Sequence, residues 1–98
     1  MDTRKKNVIV VRVSDGELTS IDRANTMVQL EGVIKKSVRK SDTVVMTGTN
    51  EFEIVVPSCT DELAGRIGTR ILTNFRRFAG DAMANLVGFT TKTLVYSA

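Results

Sequence analysis

The order of the hydrophobic patterns constrains the fold of this 98-residue chain more than any other feature. Two segments, residues 20–40 and 60–78, carry apolar side chains at three- and four-residue spacing, which is typical of amphipathic helices. Short β-branched segments flank them and predict four strands, at residues 7–13, 42–46, 51–56 and 85–91. The predicted element order is therefore β-α-β-β-α-β.

Each predicted helix has one apolar stripe. The first stripe consists of Met27, Leu30, Ile34 and Val38, and the second of Leu63, Ile67, Ile71, Phe75 and Phe78. Because a single stripe packs against a single surface, both helices are expected on the same face of a four-stranded antiparallel sheet. The first strand is apolar almost throughout and is predicted to be buried on both faces. The sequence thus predicts one α+β domain, residues 1–98, with a ferredoxin-like plait.

The composition excludes several kinds of chemistry. The chain has no histidine, which removes Ser-His and Cys-His catalysis and histidine-ligated metals. Its single cysteine, Cys59, cannot form an internal disulfide, so we expect a reducing, cytoplasmic location. The longest apolar run, residues 8–11, is too short to span a membrane. A net charge of +3 permits a nucleotide or an acidic partner without selecting either.

The segment between the second and third predicted strands reads Gly48-Thr49-Asn50-Glu51-Phe52. A hairpin turn is predicted at residues 47–50, where glycine and asparagine favour the positive φ angles of tight turns. One interpretation gives Gly48 and Asn50 only this structural role. The other makes the turn an exposed site with a carboxylate at Glu51.

Residues 42–57 resemble the signature hairpin of GGDEF domains, the bacterial diguanylate cyclases, at Gly48, Glu51, Phe52 and Pro57. The resemblance extends over residues 8–91 and includes the last predicted strand. It implies a plait of the kind deduced above and a relation to guanine nucleotides. In active members it also implies a divalent metal bound at the signature.

The departures from this pattern point away from catalysis. Asn50 stands where the resemblance implies an acidic residue that binds metal and assists deprotonation, and a neutral amide does neither well. Thr49 replaces a glycine beside which substrate phosphates are implied to pass. The first strand ends at residues 11–14 without the implied aspartates, and only Asp15 is nearby. We therefore expect no catalytic residues, no metal and no enzyme activity.

A second resemblance concerns the end of the first predicted helix. Arg39 and Asp42 form an Arg-x-x-Asp pair, with five residues between Asp42 and Gly48. In GGDEF domains this pair implies the inhibitory site for cyclic di-GMP, completed by an arginine of the next helix. Arg70 falls at the matching position, and Arg66 lies one turn earlier. Guanidinium and carboxylate groups suit the edges of guanine, although a solvated charged surface is the alternative.

The resulting hypothesis is an inactive GGDEF-like domain that binds cyclic di-GMP and signals to a protein partner, a second copy of the chain included. Cyclic di-GMP is then a ligand, and no cofactor is expected. The alternative is an interaction or dimerisation domain that keeps the fold and binds no nucleotide. Nucleic acid is not expected, because the predicted sheet offers little beyond Phe52 and Phe89 for base stacking.

Overall fold

The computed structural model describes residues 3–14, 16, 18–57 and 60–97, so Asp15 and Cys59 lie outside the described residues. The elements are β1 (Thr3–Val13), α1 (Ser20–Ser37), β2 (Thr43–Gly48), β3 (Glu51–Pro57), α2 (Asp61–Ala79), α3 (Asp81–Ala84) and β4 (Val87–Ser97). This order confirms the predicted β-α-β-β-α-β arrangement. The four-residue α3 is an addition that the sequence patterns did not predict.

The four strands form one antiparallel sheet in the order β2-β3-β1-β4. The central strand β1 pairs with β4 along its whole length, from Thr3 opposite Ser97 to Val13 opposite Val87. Helices α1 and α2 pack together against one face and enclose a single core with the sheet. The predicted ferredoxin-like plait is therefore confirmed. No helix in the described part of the chain is long and apolar enough to cross a bilayer.

Within residues 7–13, strand β1 is buried all along its helix-facing side but only in part on the opposite face. Ile9, Val11 and Val13 belong to the core, whereas Val10 is half-buried and Arg12 is exposed on the opposite, open face. The prediction of burial on both faces is thus wrong for the second half of the strand, because both helices lie on the same side. Val8 remains buried on the open face, beside the Val55 position of β3.

Most residues of the two predicted apolar stripes are buried in the core, with one exception. The fully or almost fully buried members are Met27, Leu30, Ile34, Ile67, Ile71 and Phe75. Val38 and Leu63 are partly buried against them. Phe78 was predicted to be buried, but its exposed fraction is 64%. It borders a groove toward α1 at Gly32, which has no side chain to fill the space.

Helix α1 ends earlier than predicted, at Ser37 instead of residue 40. Val38 is extended, and its N–H still donates to the Ile34 carbonyl. The next residues form a turn in which Asp42 Oδ2 accepts the Arg39 N–H at 2.8 Å. A side chain that hydrogen-bonds the nearby backbone competes with helical bonding, so the turn replaces the last predicted helical residues. Asp42 consequently precedes β2.

The hairpin turn consists of Thr49 and Asn50 only, since β2 continues through an irregular register to Gly48. Gly48 does not have a positive φ angle, so the predicted conformational reason for this glycine is wrong. A Cβ at Gly48 would make only ordinary contacts with Asn50 and Glu51. The left-handed glycine is Gly80, with φ of 93°, which ends α2 as a cap.

Candidate functional site

Asn50 ties the hairpin turn to the end of the central strand. Its side-chain Nδ2 donates to the Val13 carbonyl at 3.0 Å, and its own carbonyl accepts the Val13 N–H at 2.8 Å. The amide is therefore used as a donor toward the backbone, on a residue that is only half-buried. A carboxylate at this position would place an acceptor against the acceptor of Val13.

Glu51 lies next to this turn and is held by two neighbours on the open face. Arg12, directly opposite on β1, donates to Glu51 Oε1 from Nη2 at 2.6 Å and from Nε at 3.1 Å. The Thr47 hydroxyl donates to Glu51 Oε2 at 2.7 Å. These bonds, that from Arg12 above all, lower the pKa of Glu51 below its ordinary value of 4.5. The carboxylate is therefore held in its ionised form.

These residues do not fit the divalent metal that the resemblance implies for active domains. Both oxygens of Glu51 already accept hydrogen bonds, and the Arg12 guanidinium supplies a positive charge at the same point. Asn50 presents an N–H to its neighbour instead of an oxygen to a cation. Within the described residues, no three histidine, cysteine or acidic side chains come together as a metal-binding group.

The two aromatic residues considered for nucleic-acid binding face the helices. Phe52 is 1% exposed within the core, and Phe89 packs against the core beneath α2. A Cβ built on Gly68 of α2 would lie 2.4–2.7 Å from the Phe89 ring, so this helix position needs glycine. On the open face, β1 and β3 present valines and charged side chains, including Arg12 and Glu53. Neither phenylalanine is therefore available on the open face for base stacking.

Arg39 and Asp42 meet in the turn between α1 and β2. Besides the backbone bond to Asp42 described above, Arg39 Nη2 lies 3.4 Å from Asp42 Oδ1. The side chain of Asp42 is fully buried, whereas that of Arg39 is 51% exposed. The Asp42 carboxylate thus stabilises the turn and also offers a hydrogen-bond acceptor.

Arg70 approaches the same place from α2. Its Nη1 donates to the carbonyl of Ser37 at 3.5 Å, the limit for a hydrogen bond. A pocket of about 130 Å³ is lined by Arg39, Asp42 and Arg70, together with residues 37, 38, 63 and 67. Three of the four predicted ligand residues are therefore brought together. The fourth, Arg66, does not line this pocket and pairs with Glu62 at 2.7 Å.

Sequence reasoning missed the residues that support both places. Arg12 lies in the segment 11–14, for which the sequence predicted only the lack of aspartates, and its pairing with Glu51 depends on a strand register that the sequence pattern does not specify. Ser37 and Asn74 link α1 to α2, since Asn74 Nδ2 donates to Ser37 Oγ at 3.0 Å. Asn74 follows Arg70 by one helical turn, and that spacing was the available signal for a shared face.

Comparison of the fold with solved structures identifies its type. The chain aligns with a DGC protein from Thermotoga maritima at a TM-score of 0.67 and 17% identity, over 95% of this chain and 65% of that one. It also aligns with the GGDEF domain of TpbB, or YfiN, from Pseudomonas aeruginosa at 0.64 and 18%, over 95% and 59%. This chain has a GGDEF-like fold.

The GGDEF-like fold recurs in a third structure, an EAL/GGDEF domain protein from M. capsulatus, at a TM-score of 0.63 and 19% identity. That alignment covers 94% of this chain and 64% of the other. The chain thus spans about two thirds or less of each of these proteins. No protein-family model matches the sequence, and no curated protein is significantly similar to it. The likeness to GGDEF domains therefore concerns the fold.

Proposed function

We propose that this GGDEF-like domain binds cyclic di-GMP at the pocket between the end of α1 and the middle of α2, and that it has no cyclase activity. The observation that carries the proposal is the convergence on one pocket of Arg39 and Asp42, from the turn after α1, and Arg70, from α2. A carboxylate and two guanidinium groups that line one pocket complement guanine, whose N1–H and N2–H donate and whose O6 and N7 accept.

The size of the pocket defines how such a ligand would bind. At about 130 Å³ it is smaller than the pockets that enclose whole ligands, which measure roughly 300–1,000 Å³. One guanine base would enter, while the sugars and phosphates would lie across the exposed arginines. The contacts of Arg39 with Asp42 Oδ1 and of Arg70 with Ser37 are both long, at 3.4 and 3.5 Å. Turning either side chain toward a ligand would therefore break only a long, weak polar contact.

The proposed lack of catalysis rests on the signature hairpin. Asn50 uses its amide to hold Val13, and Arg12 neutralises Glu51. Neither group is available as a base near neutral pH. Incubation with GTP and Mg²⁺ or Mn²⁺ is expected to yield no cyclic di-GMP above a protein-free blank. Sustained product formation would contradict this part of the proposal.

Calorimetric titration with cyclic di-GMP tests the binding site. Removing a hydrogen bond to a charged group typically weakens binding by about 1.5–3 kcal/mol, or about ten- to a hundredfold. Arg39→Ala and Arg70→Ala are expected to lose affinity by this amount. Arg66→Ala is the matched control, since that arginine pairs with Glu62 outside the pocket. Affinity is also expected to fall with salt, because the ligand carries two phosphates.

Two outcomes would contradict the binding proposal. One is the absence of heat with the wild-type chain at high micromolar ligand, and the other is equal affinity for wild type and Arg39→Ala. In either case the cluster would be an ordinary charged surface. The domain would then fit the alternative function, a protein interaction module without nucleotide. That alternative has its own support in the exposed apolar side of α1.

A further inference from the structure

Helix α1 is apolar on two opposite sides, so the prediction of a single apolar stripe is wrong for this helix. One side is the buried core stripe, and the other carries Ile21, Ala24, Val28 and Gly32, all exposed, which we term the outer stripe. Their spacing of three, four and four residues places them on one line along the helix. Ile21 is 72% exposed and Val28 is 70% exposed. A helix that is apolar on both sides is suited to being covered on both.

The second helix lacks this property, although it is of similar length and packs against the same sheet. Along most of its length the exposed side carries polar and charged residues, namely Glu62, Arg66, Thr69, Arg70, Thr73 and Arg77, and the exposed Phe78 lies near its C-terminal end, beside α1. The outer stripe is therefore particular to α1 and is not a property of the whole helical layer.

Val28 stands as a ridge between two grooves. The groove of about 320 Å³ on one side reaches the hairpin at Met46, and the groove of about 410 Å³ on the other reaches Phe78. Met46 is 57% exposed and Phe78 is 64% exposed, so the apolar surface continues beyond α1 in both directions. The exposed apolar surface is therefore centred on Val28 and extends on both sides of it.

We propose that the outer stripe mediates association with a second copy of this chain, with the two α1 helices antiparallel and Val28 on the two-fold axis. In that arrangement Ala24 faces Gly32 of the second copy, and these small residues let the helices approach closely. Asp22 lies beside Lys35 and Lys36 of the second copy, so opposite charges meet at both ends. The helix dipoles are also opposed, which is favourable.

The expected interface is small and the association correspondingly weak. With 18 residues, α1 is about 27 Å long, so one helix pair with its flanking side chains belongs among interfaces below about 1,200 Å². Dimers are therefore expected to depend on concentration. The inference is independent of nucleotide binding and is tested without cyclic di-GMP.

Sedimentation equilibrium of the full 98-residue chain tests the proposal from about 10 µM to 1 mM. The wild-type mass is expected to rise with concentration from 10.8 kDa toward twice that value. Val28→Lys is expected to remain a monomer, since the new charge meets its own copy on the axis. Val45→Lys is the matched control, because Val45 is an exposed valine on the open face, opposite Glu53. It should associate like the wild type.

Thiol crosslinking tests directly whether a second copy of the chain covers the outer stripe. In a Cys59→Ser background, Val28→Cys is expected to give a covalent dimer with a short bismaleimide, because an axial residue lies beside its own copy. Val45→Cys is expected to give none. A wild-type chain that stays monomeric at 1 mM overturns the proposal. So does association that survives Val28→Lys, or a dimer that Val28→Cys does not crosslink.

Discussion

Asn50 and the backbone of Val13 are joined by two hydrogen bonds: the side-chain Nδ2 of Asn50 donates to the Val13 carbonyl at 3.0 Å, and the Val13 N–H donates to the backbone carbonyl of Asn50 at 2.8 Å. This pair fixes the tip of the hairpin to the end of the central strand. The residue that departs from the GGDEF signature is thus also the one that locks the turn. Its identity has a structural consequence in addition to any effect on catalysis.

Asn50→Asp, the change that restores the acidic signature residue, is expected to destabilise the fold. The substitution removes the Nδ2 donor and sets a carboxylate against the Val13 carbonyl, a loss of about 1–3 kcal/mol in the free energy of unfolding. Urea denaturation of both proteins measures it. Cyclase activity with GTP and Mg²⁺ is not expected to appear, because Arg12 still holds Glu51. Equal stability, or a gain of turnover, would contradict the assigned role of Asn50.

The ion pair of Glu51 with Arg12 is expected to make stability depend on acid pH. Since hydrogen bonds lower the folded-state pKa of Glu51, its contribution is present above the ordinary value of 4.5 and is lost as pH falls through the lower, folded value. Wild type is therefore expected to be more stable than Glu51→Gln at pH 6 and to converge with it in acid.

Glu62→Gln is the matched control for this pH experiment. Glu62 also pairs with an arginine, Arg66, at 2.7 Å, but both side chains are at least 70% exposed on the helix surface. Exposed pairs of this kind contribute little, so this variant should track the wild type closely at every pH. Denaturation midpoints between pH 2.5 and 7 provide the measurement. A pH-independent difference between wild type and Glu51→Gln would refute the prediction.

Two glycines of α2 are expected to respond oppositely to the same substitution. At Gly68 a Cβ would lie 2.4–2.7 Å from the Phe89 ring, so alanine forces the ring to move and is expected to destabilise by about 1–3 kcal/mol. At Gly65 nothing lies within 4 Å, and alanine is expected to stabilise by up to about 1 kcal/mol through helix propensity. Thermal or urea unfolding distinguishes them, and Phe89→Leu should relieve the Gly68→Ala defect.

Asp42 is expected to affect both the fold and the ligand, and two substitutions separate these effects. Asp42→Ala removes the acceptor of the Arg39 N–H, and because the side chain is fully buried, we expect a loss of about 1–3 kcal/mol in stability. Asp42→Asn keeps an oxygen acceptor for that bond but removes the charge and one guanine-facing acceptor. It should retain more stability and still bind cyclic di-GMP more weakly than the wild type. Full affinity of Asp42→Asn for cyclic di-GMP would show that Asp42 is not part of the proposed site.

The sequence predicted the element order and the plait because both depend on local patterns. Apolar spacing along a few turns identifies a helix, and Gly80 ends α2 as its position after Ala79 suggested. The Arg39–Asp42 pair is also local, since the two residues are three apart and meet in one turn. Local spacing was not sufficient for Phe78. This residue is in phase with the core stripe but is nevertheless 64% exposed.

Local patterns in the sequence were thus enough to predict which segments form helices and strands, that both helices cover one face, and that Asn50 stands where the resemblance implies an acidic residue. The pairing of Arg12 with Glu51, 39 residues away, and the approach of Arg70 to Ser37, 33 residues away, became visible only in the folded chain. Strand register and helix placement are outcomes of packing the whole core, and propensities that act over a few neighbouring residues do not specify them.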